Sequence, residues 1–380
     1  MPAAGQKQFA SLETLRFVAS FIVLAYHYTY YIQKRDLFKG YLAVDLFFVL
    51  SGFVIASGYR SRIGTISLYG QFMKKRVARL YPLHFLTLMI YVCIGLAAMR
   101  GLVRLDNGNK YNLHEFFTNL TLTHAWGFGH LLSFNTVSWS ISAEFAAYLL
   151  FPLTLWLMGR GMLSGIAVIA SLYIAAAIFA VRVAHVPLPQ LTWQLGVVRA
   201  IPAFALGVWT ALYLPIITAK LPRNTTIPFF YLSMFVFIAC TFFSLNDYVG
   251  MLAASSLVIL GAVNDYLGQS NYVSNRMLSR HGELTYSVYM IHPIVASILI
   301  TGVFTRVFSS SAMVVYVAIL VSTVITLVLS AMSLRYFEQP LQRWIVQLGK
   351  DNGRPELAAP SSGELTMSGK TELEASVHSL

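Results

Sequence analysis

Few side chains in this sequence can do acid–base or nucleophilic work, and most of those lie inside apolar runs. Arg16 and His27 are eleven residues apart. On a helix that is about 1100°, only about 20° past three full turns, and about 16 Å along the axis. They therefore share a face, with a cation at one end and an imidazole deeper in. A neutral imidazole can take a proton from a hydroxyl or attack an acyl carbon. Asp45 and Glu144 are acids that could orient and charge such a histidine, as the third member of a catalytic triad does. Asp45 also suits a helix start, where the dipole favours an anion. The run Lys74-Lys-Arg-Val-Ala-Arg79 holds four positive charges in six residues. It can anchor on anionic lipid, or Arg76 and Arg79 can clamp phosphate in two-pronged fashion. Arg199 has no counter-charge nearby in sequence and needs a partner on another helix. Tyr286, Tyr289 and His292 recur at steps of three, a polar stripe on one helix face. Trp139 and Ser142 stand just ahead of Glu144. Trp139, Ser142, Tyr286 and His292 are candidate substrate contacts. No spacing suggests a metal site, and Cys93 and Cys240 sit in apolar runs as packing residues.

The elements that must position these groups are set by composition. Of 380 residues, 57% are hydrophobic and 11% charged, with net charge +12 and mean hydropathy +0.65. Ordinary soluble domains carry roughly 25% charged residues, so a soluble enzyme is excluded and an all-α polytopic membrane protein remains. Spans of about 20 apolar residues fall at 12–33, 42–59, 80–99, 138–158, 162–182, 196–218, 228–245, 249–263, 282–303 and 312–336. The first, with Arg16 and His27 inside it, reads as a retained helix, not a cleaved leader. Ten crossings put both termini on one side. With those termini in the cytoplasm, sixteen of the 27 Lys and Arg residues lie inside, eight outside and three at or within spans. That bias predicts cytoplasmic termini, an inner (plasma) membrane location, and no nucleic-acid partner for the basic charge. The segment 100–137 is then an outer loop, where Trp126 and His124 could meet an acceptor. Residues 1–345 form the membrane domain. The tail 346–380, rich in Ser, Glu and Gly, reads as disordered and cytoplasmic.

Taken in order, six blocks resemble the acyltransferase-3 family of integral membrane acyltransferases. They are Leu15-Arg-x10-His27, Asp-Leu-Phe-Phe-Val-Leu-Ser-Gly-Phe at 45–53, the basic stretch at 74–82, Ser-Trp-Ser-Ile-Ser-x-Glu at 138–144, Thr-Tyr-Ser-Val-Tyr-Met-Ile-His-Pro at 285–293 and Glu-Gln-Pro at 338–340. The last most simply ends the tenth helix. Ala43 stands where the family often has Gly, and Lys-Lys opens the basic stretch where Arg is common. The resemblance implies acyl transfer, commonly O-acetylation, from cytoplasmic acyl-CoA (acetyl-CoA first) to a carbohydrate, glycolipid or similar hydroxyl acceptor at the outer face. It gives His27 the central role. Arg16, Arg76, Arg79 and Arg199 would then face the donor, with Asp45 or Glu144 supporting His27. Membrane lipid surrounds the chain, and a homo-oligomer is compatible with it. A transporter or flippase of a lipid-linked or anionic substrate is the rival reading. Transporters, however, tend to show repeated halves, and the sequence shows none.

Overall fold

The computed structural model describes residues 9–33, 36–102, 108–243, 245–269, 272–274, 276–304 and 311–348. Among these residues the chain is helical, without strands. The helices are α1 (Ala10–Gln33), α2 (Ala43–Tyr59), α3 (Ile66–Met99), α4 (Leu113–Leu120), α5 (Trp139–Leu149), α6 (Phe151–Met158) and α7 (Met162–Phe179). They continue with α8 (Gly196–Lys220), α9 (Arg223–Phe242), α10 (Asp247–Leu267), the short α11 (Arg276–Ser279), α12 (Thr285–Val295), α13 (Ala312–Ser333) and α14 (Gln339–Gln347). The ends follow from local chemistry. Thr65 caps α3 by accepting from the Leu68 N–H at 3.3 Å. Asn246 caps α10, and Gly268 closes it in the left-handed region at φ +68°, the position where glycine costs least.

Eight described helices are long and apolar enough to cross a membrane, or nine with the bent pair α5–α6. These account for nine of the ten expected spans. The first expected span is a 24-residue helix, about 36 Å long, but it is not among the apolar ones. Its later half reads Tyr26-His-Tyr-Thr-Tyr-Tyr31. It packs against α2, α10 and α12, and this protein lining is what lets a polar helix sit inside a membrane bundle.

Three boundaries differ from the sequence reading. α3 starts at Ile66, so the basic run is part of the helix. The fourth span bends by 61° between Thr136–Leu149 and Phe151–Met158. Pro152, in the first turn of α6, has no N–H to give the turn before it and its ring crowds that turn. Finally, Glu338-Gln-Pro340 does not end the last helix. Pro340 lies in the first turn of α14, where a missing N–H costs nothing, and helix runs on to Gln347. Beyond Leu348 the expected tail lies outside the described residues.

The interior is organised around the crossing of α2 and α8. Gly52 and Gly207 let the two backbones touch: a Cβ on Gly52 would lie 2.0 Å from the Phe204 carbonyl oxygen, and one on Gly207 2.0 Å from that of Val49. Close approach through small residues is how membrane helices gain packing where lipid offers no hydrophobic drive. Above this contact Arg199 meets Asp45. Its Nε donates to Asp45 Oδ1 at 2.9 Å and its Nη2 to Oδ2 at 2.8 Å. Its remaining bonds go to the Tyr41 and Leu191 carbonyls at 2.9 and 3.2 Å. Both side chains are wholly buried. The partner Arg199 needs is thus the acid at the start of α2.

Such a pair is costly to break and cheap to replace whole, because removing one member strands the other's charge. Asp45→Asn or Arg199→Met is expected to destabilise the purified protein by about 3–5 kcal/mol, whereas Asp45→Leu combined with Arg199→Met recovers much of the loss. Thermal unfolding in detergent checks this, and a double variant as unstable as the sum of the singles would contradict it. Gly52→Ala and Gly207→Ala, each forcing a backbone apart, are expected to cost at least about 1–3 kcal/mol in the same measurement.

Candidate active site

A cavity opens on the side where the first and last described helices begin and end, since Glu13 and Val346 both line it. Along α2 its wall runs from Gly58 through Val54 and Ser51 to Phe47, a depth of about 16 Å. Its volume is about 260 Å³. The mouth is basic: Arg16, Lys75, Arg76 and Arg79 all line it, against Glu13 and Glu283. Three of these cations, Lys75, Arg76 and Arg79, sit within five residues of one another in the first half of α3.

The cations differ in how far they are already committed. Arg79 pairs with Glu338 at 3.3 Å and donates to the Glu283 carbonyl at 3.3 Å. Glu338, buried, also accepts from Ser287 Oγ at 2.5 Å and Ser333 Oγ at 2.8 Å, so it ties α12, α13 and α3 together. Arg16 pairs with Glu13 at 3.5 Å and is 29% exposed. Among the described residues Arg76 has no carboxylate partner. It lies 5.2 Å from the Tyr59 ring centre and 5.8 Å from that of Phe72. It donates to the Tyr59 hydroxyl at 3.2 Å, and its buried Nε is unpartnered. Of the expected phosphate clamps, Arg76 is the less committed.

Halfway up, Glu144 Oε1 accepts from both Ser51 Oγ and Tyr148 OH at 2.5 Å. The deep end is closed by Tyr289, whose hydroxyl bonds Ser140 Oγ at 2.8 Å and whose ring meets Phe47 edge-on. Tyr286 lines the wall and donates to the Leu80 carbonyl at 2.5 Å.

His27 is not on this wall. It lies beyond the closed end, partly exposed, and connects to it through His292, whose ring is 6.0 Å from that of Tyr289 and 5.2 Å from that of His27. His292 is one turn past Tyr289 on α12 and wholly buried. The expected acids do not reach His27: both oxygens of Asp45 hold Arg199, and Glu144 is turned to Ser51 and Tyr148. Arg199 is likewise placed away from the cavity, locked in its pair, with Trp139 packed on it at 5.7 Å. Ser142 is part of the scaffold as placed. Its hydroxyl donates to the Leu122 carbonyl at 2.7 Å and accepts from the Ala125 N–H at 3.1 Å, while its carbonyl accepts from Trp126 Nε1 at 2.8 Å.

These bonds pin the long segment after α3 onto α5. Glu115, wholly buried, holds its turn by accepting from the His130 and Leu131 N–H groups at 2.8 and 3.2 Å. His124 is buried too, bonded to Ser138 Oγ at 3.1 Å. Burial, and then the neighbouring His84, push its imidazole down to about 3, so it stays neutral. Trp126 is half-buried against Phe145.

Ser51, Tyr148 and Tyr289 belong to the cavity though the sequence reading assigned them no role. Ser51 and Tyr289 lie within blocks that carried the resemblance. Tyr148 is four residues after Glu144, the spacing of helical neighbours. Gln339 and Gln342 also line the mouth; Gln339 lies within the Glu338-Gln-Pro340 block, and nothing in its sequence setting marks Gln342.

Residues 9–332 match the family model for an acyltransferase domain, Acyl_transf_3. Among curated proteins, the chain is 26% identical over 328 residues to the acyltransferase MdmB of Streptomyces mycarofaciens, covering 74% of this chain and 77% of that one. It is 40% identical over 100 residues to protein 2 in the picA locus of Rhizobium radiobacter, covering 25% of this chain and 51% of that one. No solved structure matches. With the match running from the start of α1 almost to the end of α13, the chain belongs to the acyltransferase-3 family of membrane acyltransferases.

Proposed function

We propose that this protein moves an acyl group, acetyl in the first instance, from cytoplasmic acyl-CoA to a hydroxyl of a carbohydrate or glycolipid at the outer face of the inner (plasma) membrane. The observation that carries this reading is a basic-mouthed cavity whose closing side chain, Tyr289, packs near His292, which in turn faces His27. Arg76, with Lys75 and Arg16, would hold the donor's phosphates at the mouth, where an arginine's planar fork matches phosphate oxygens. A pantetheine arm suits the narrower part lined by Ser51, Glu144 and Tyr286, which supplies hydroxyls for its amides and apolar walls for its methylenes. Tyr289 must swing from Ser140 to admit a thioester to His27.

His27 then acts as general base on the acceptor hydroxyl. The new C–O bond forms as the C–S bond breaks, and the thiolate recovers the proton from His27. A dry site spares the thioester from water. His27 is reached from the partly exposed end of α1, the side on which the pinned segment around Trp126 also lies, so donor and acceptor approach from opposite faces.

In detergent no gradient exists, so transfer of label from acetyl-CoA to an acceptor separates this enzyme from a transporter. His27→Ala is expected to lower kcat by about 10²–10⁴-fold with unchanged thermal stability, and near wild-type turnover would overturn the assignment. Arg76→Ala is expected to raise KM for acetyl-CoA about 10- to 100-fold, the loss of one charge-assisted contact, with kcat little changed. Steady-state kinetics in each variant check both, and a fall in kcat alone for Arg76→Ala would place it at the reacting end instead.

A further inference from the structure

Among the described residues no carboxylate lies beside the proposed base. Its surroundings are aromatic: Tyr26 lies 5.1 Å from the His27 ring, while Tyr28 and Tyr289 each lie 6.0 Å from the His292 ring. All three phenol hydroxyls are already engaged. Tyr26 donates to Asp36 at 2.9 Å, Tyr28 to the His292 carbonyl at 3.1 Å with Thr326 Oγ1 at 2.8 Å, and Tyr289 bonds Ser140. Among these rings, His292 is the one that offers a bare nitrogen acceptor. Its Nδ1 lies 3.0 Å from the Val288 carbonyl, which can only accept, so Nδ1 carries the proton and Nε2 is left with a bare lone pair. That Nε2 is buried and has no partner. A buried acceptor left open beside a titratable ring calls for an explanation.

We propose that His292 is the positioning residue for His27. Its Nε2 accepts the N–H of the His27 imidazole once that ring turns on substrate binding, which fixes the nitrogen that faces the acceptor hydroxyl. Rings at 5.2 Å are close enough for that rotation to bring nitrogens into hydrogen-bond reach, and such contacts often close only in the reacting complex. The acceptor's proton goes to the free nitrogen of His27. The other nitrogen keeps its own proton, bonded to His292, so the positive charge that develops on His27 is shared through that bond. A neutral imidazole does this without burying an anion in a membrane interior that tolerates few. The role depends on His27 being the base, as argued above.

Membranes carrying the full chain, given labelled acetyl-CoA and the carbohydrate and glycolipid fraction of the host envelope, supply the test. His292→Phe is expected to lower kcat about 10- to 100-fold with KM for acetyl-CoA within about twofold. His292→Gln, which keeps an acceptor near the Nε2 position, is expected to restore most of the rate. In a His27→Ala background, His292→Phe is expected to cost nothing more, because residues acting as a unit are non-additive. Elution as a single species certifies folding, and His292→Met stands in if the Phe variant does not fold. Wild-type kcat in the His292→Phe variant, equal damage by Gln and Phe, or losses that multiply with His27→Ala would each overturn the proposal and leave the His27 assignment standing. Full activity of His27→Ala, or no turnover by the wild type, would overturn both.

Discussion

The buried Asp45–Arg199 pair is the interaction on which the rest of the architecture turns. It sits above the point where Gly52 and Gly207 bring two helix backbones into contact, and it fixes the register of α2 against α8. Only one register lets a carboxylate meet a guanidinium with both forks matched, so an error of a single turn would leave two charges unpaired in apolar surroundings. With α2 held, its opposite face presents Phe47, Ser51, Val54 and Gly58 to the cavity. α8, in turn, carries α5, and α5 brings Glu144 to Ser51. The acid and base that stand out most in a charge-poor sequence thus serve the frame that places the chemistry.

Two polar systems follow from that frame and remain separate. On one side, the cations at the start of α3 gather with Glu338, Glu283 and Glu13 around a mouth with one less committed arginine, Arg76. On the other, Glu115, His124 and Ser142 clamp the long segment after α3 over the bundle. Between them lies a thin layer, Tyr289 against Ser140 and Phe47, with His292 and then His27 behind it. The proposed transfer, from a donor at the mouth to an acceptor on the opposite face, would use such an arrangement: two approaches that meet without an open channel.

The sequence made some of this legible. Apolar length announced the crossings. Arg199 announced the need for a partner on another helix, because a buried guanidinium without one is too costly. What sequence could not tell was which acid would answer. Asp45 read equally well as a helix-start carboxylate and as a companion to His27, and only the α2–α8 register decides between these. Pro152 was visible, but a proline that bends a span and a proline that opens a helix, as Pro340 does, look alike until the neighbouring turns are seen. Ser51 was hidden for a different reason. A serine in an apolar run is ordinarily satisfied by its own backbone, and its tie to Glu144 depends on residues 93 apart in sequence. His27 and Arg16 do share a helix, yet the cavity takes one and leaves the other behind a tyrosine. The periodicity of a single helix carries no information about that wall.

In the proposed reaction donor phosphates bind at the mouth beside Arg76 while the acyl carbon reaches His27 from the cavity side. A structure of the full-length protein with a non-cleavable thioether analogue of acetyl-CoA tests it most directly. Phosphate density at Arg76 and Lys75, Tyr289 swung away from Ser140, and the analogue's carbonyl beside the His27 ring are expected. Phosphates on the opposite face, near Trp126 and His124, or an acyl group that ends at Glu144 with Tyr289 still bonded to Ser140, would contradict it.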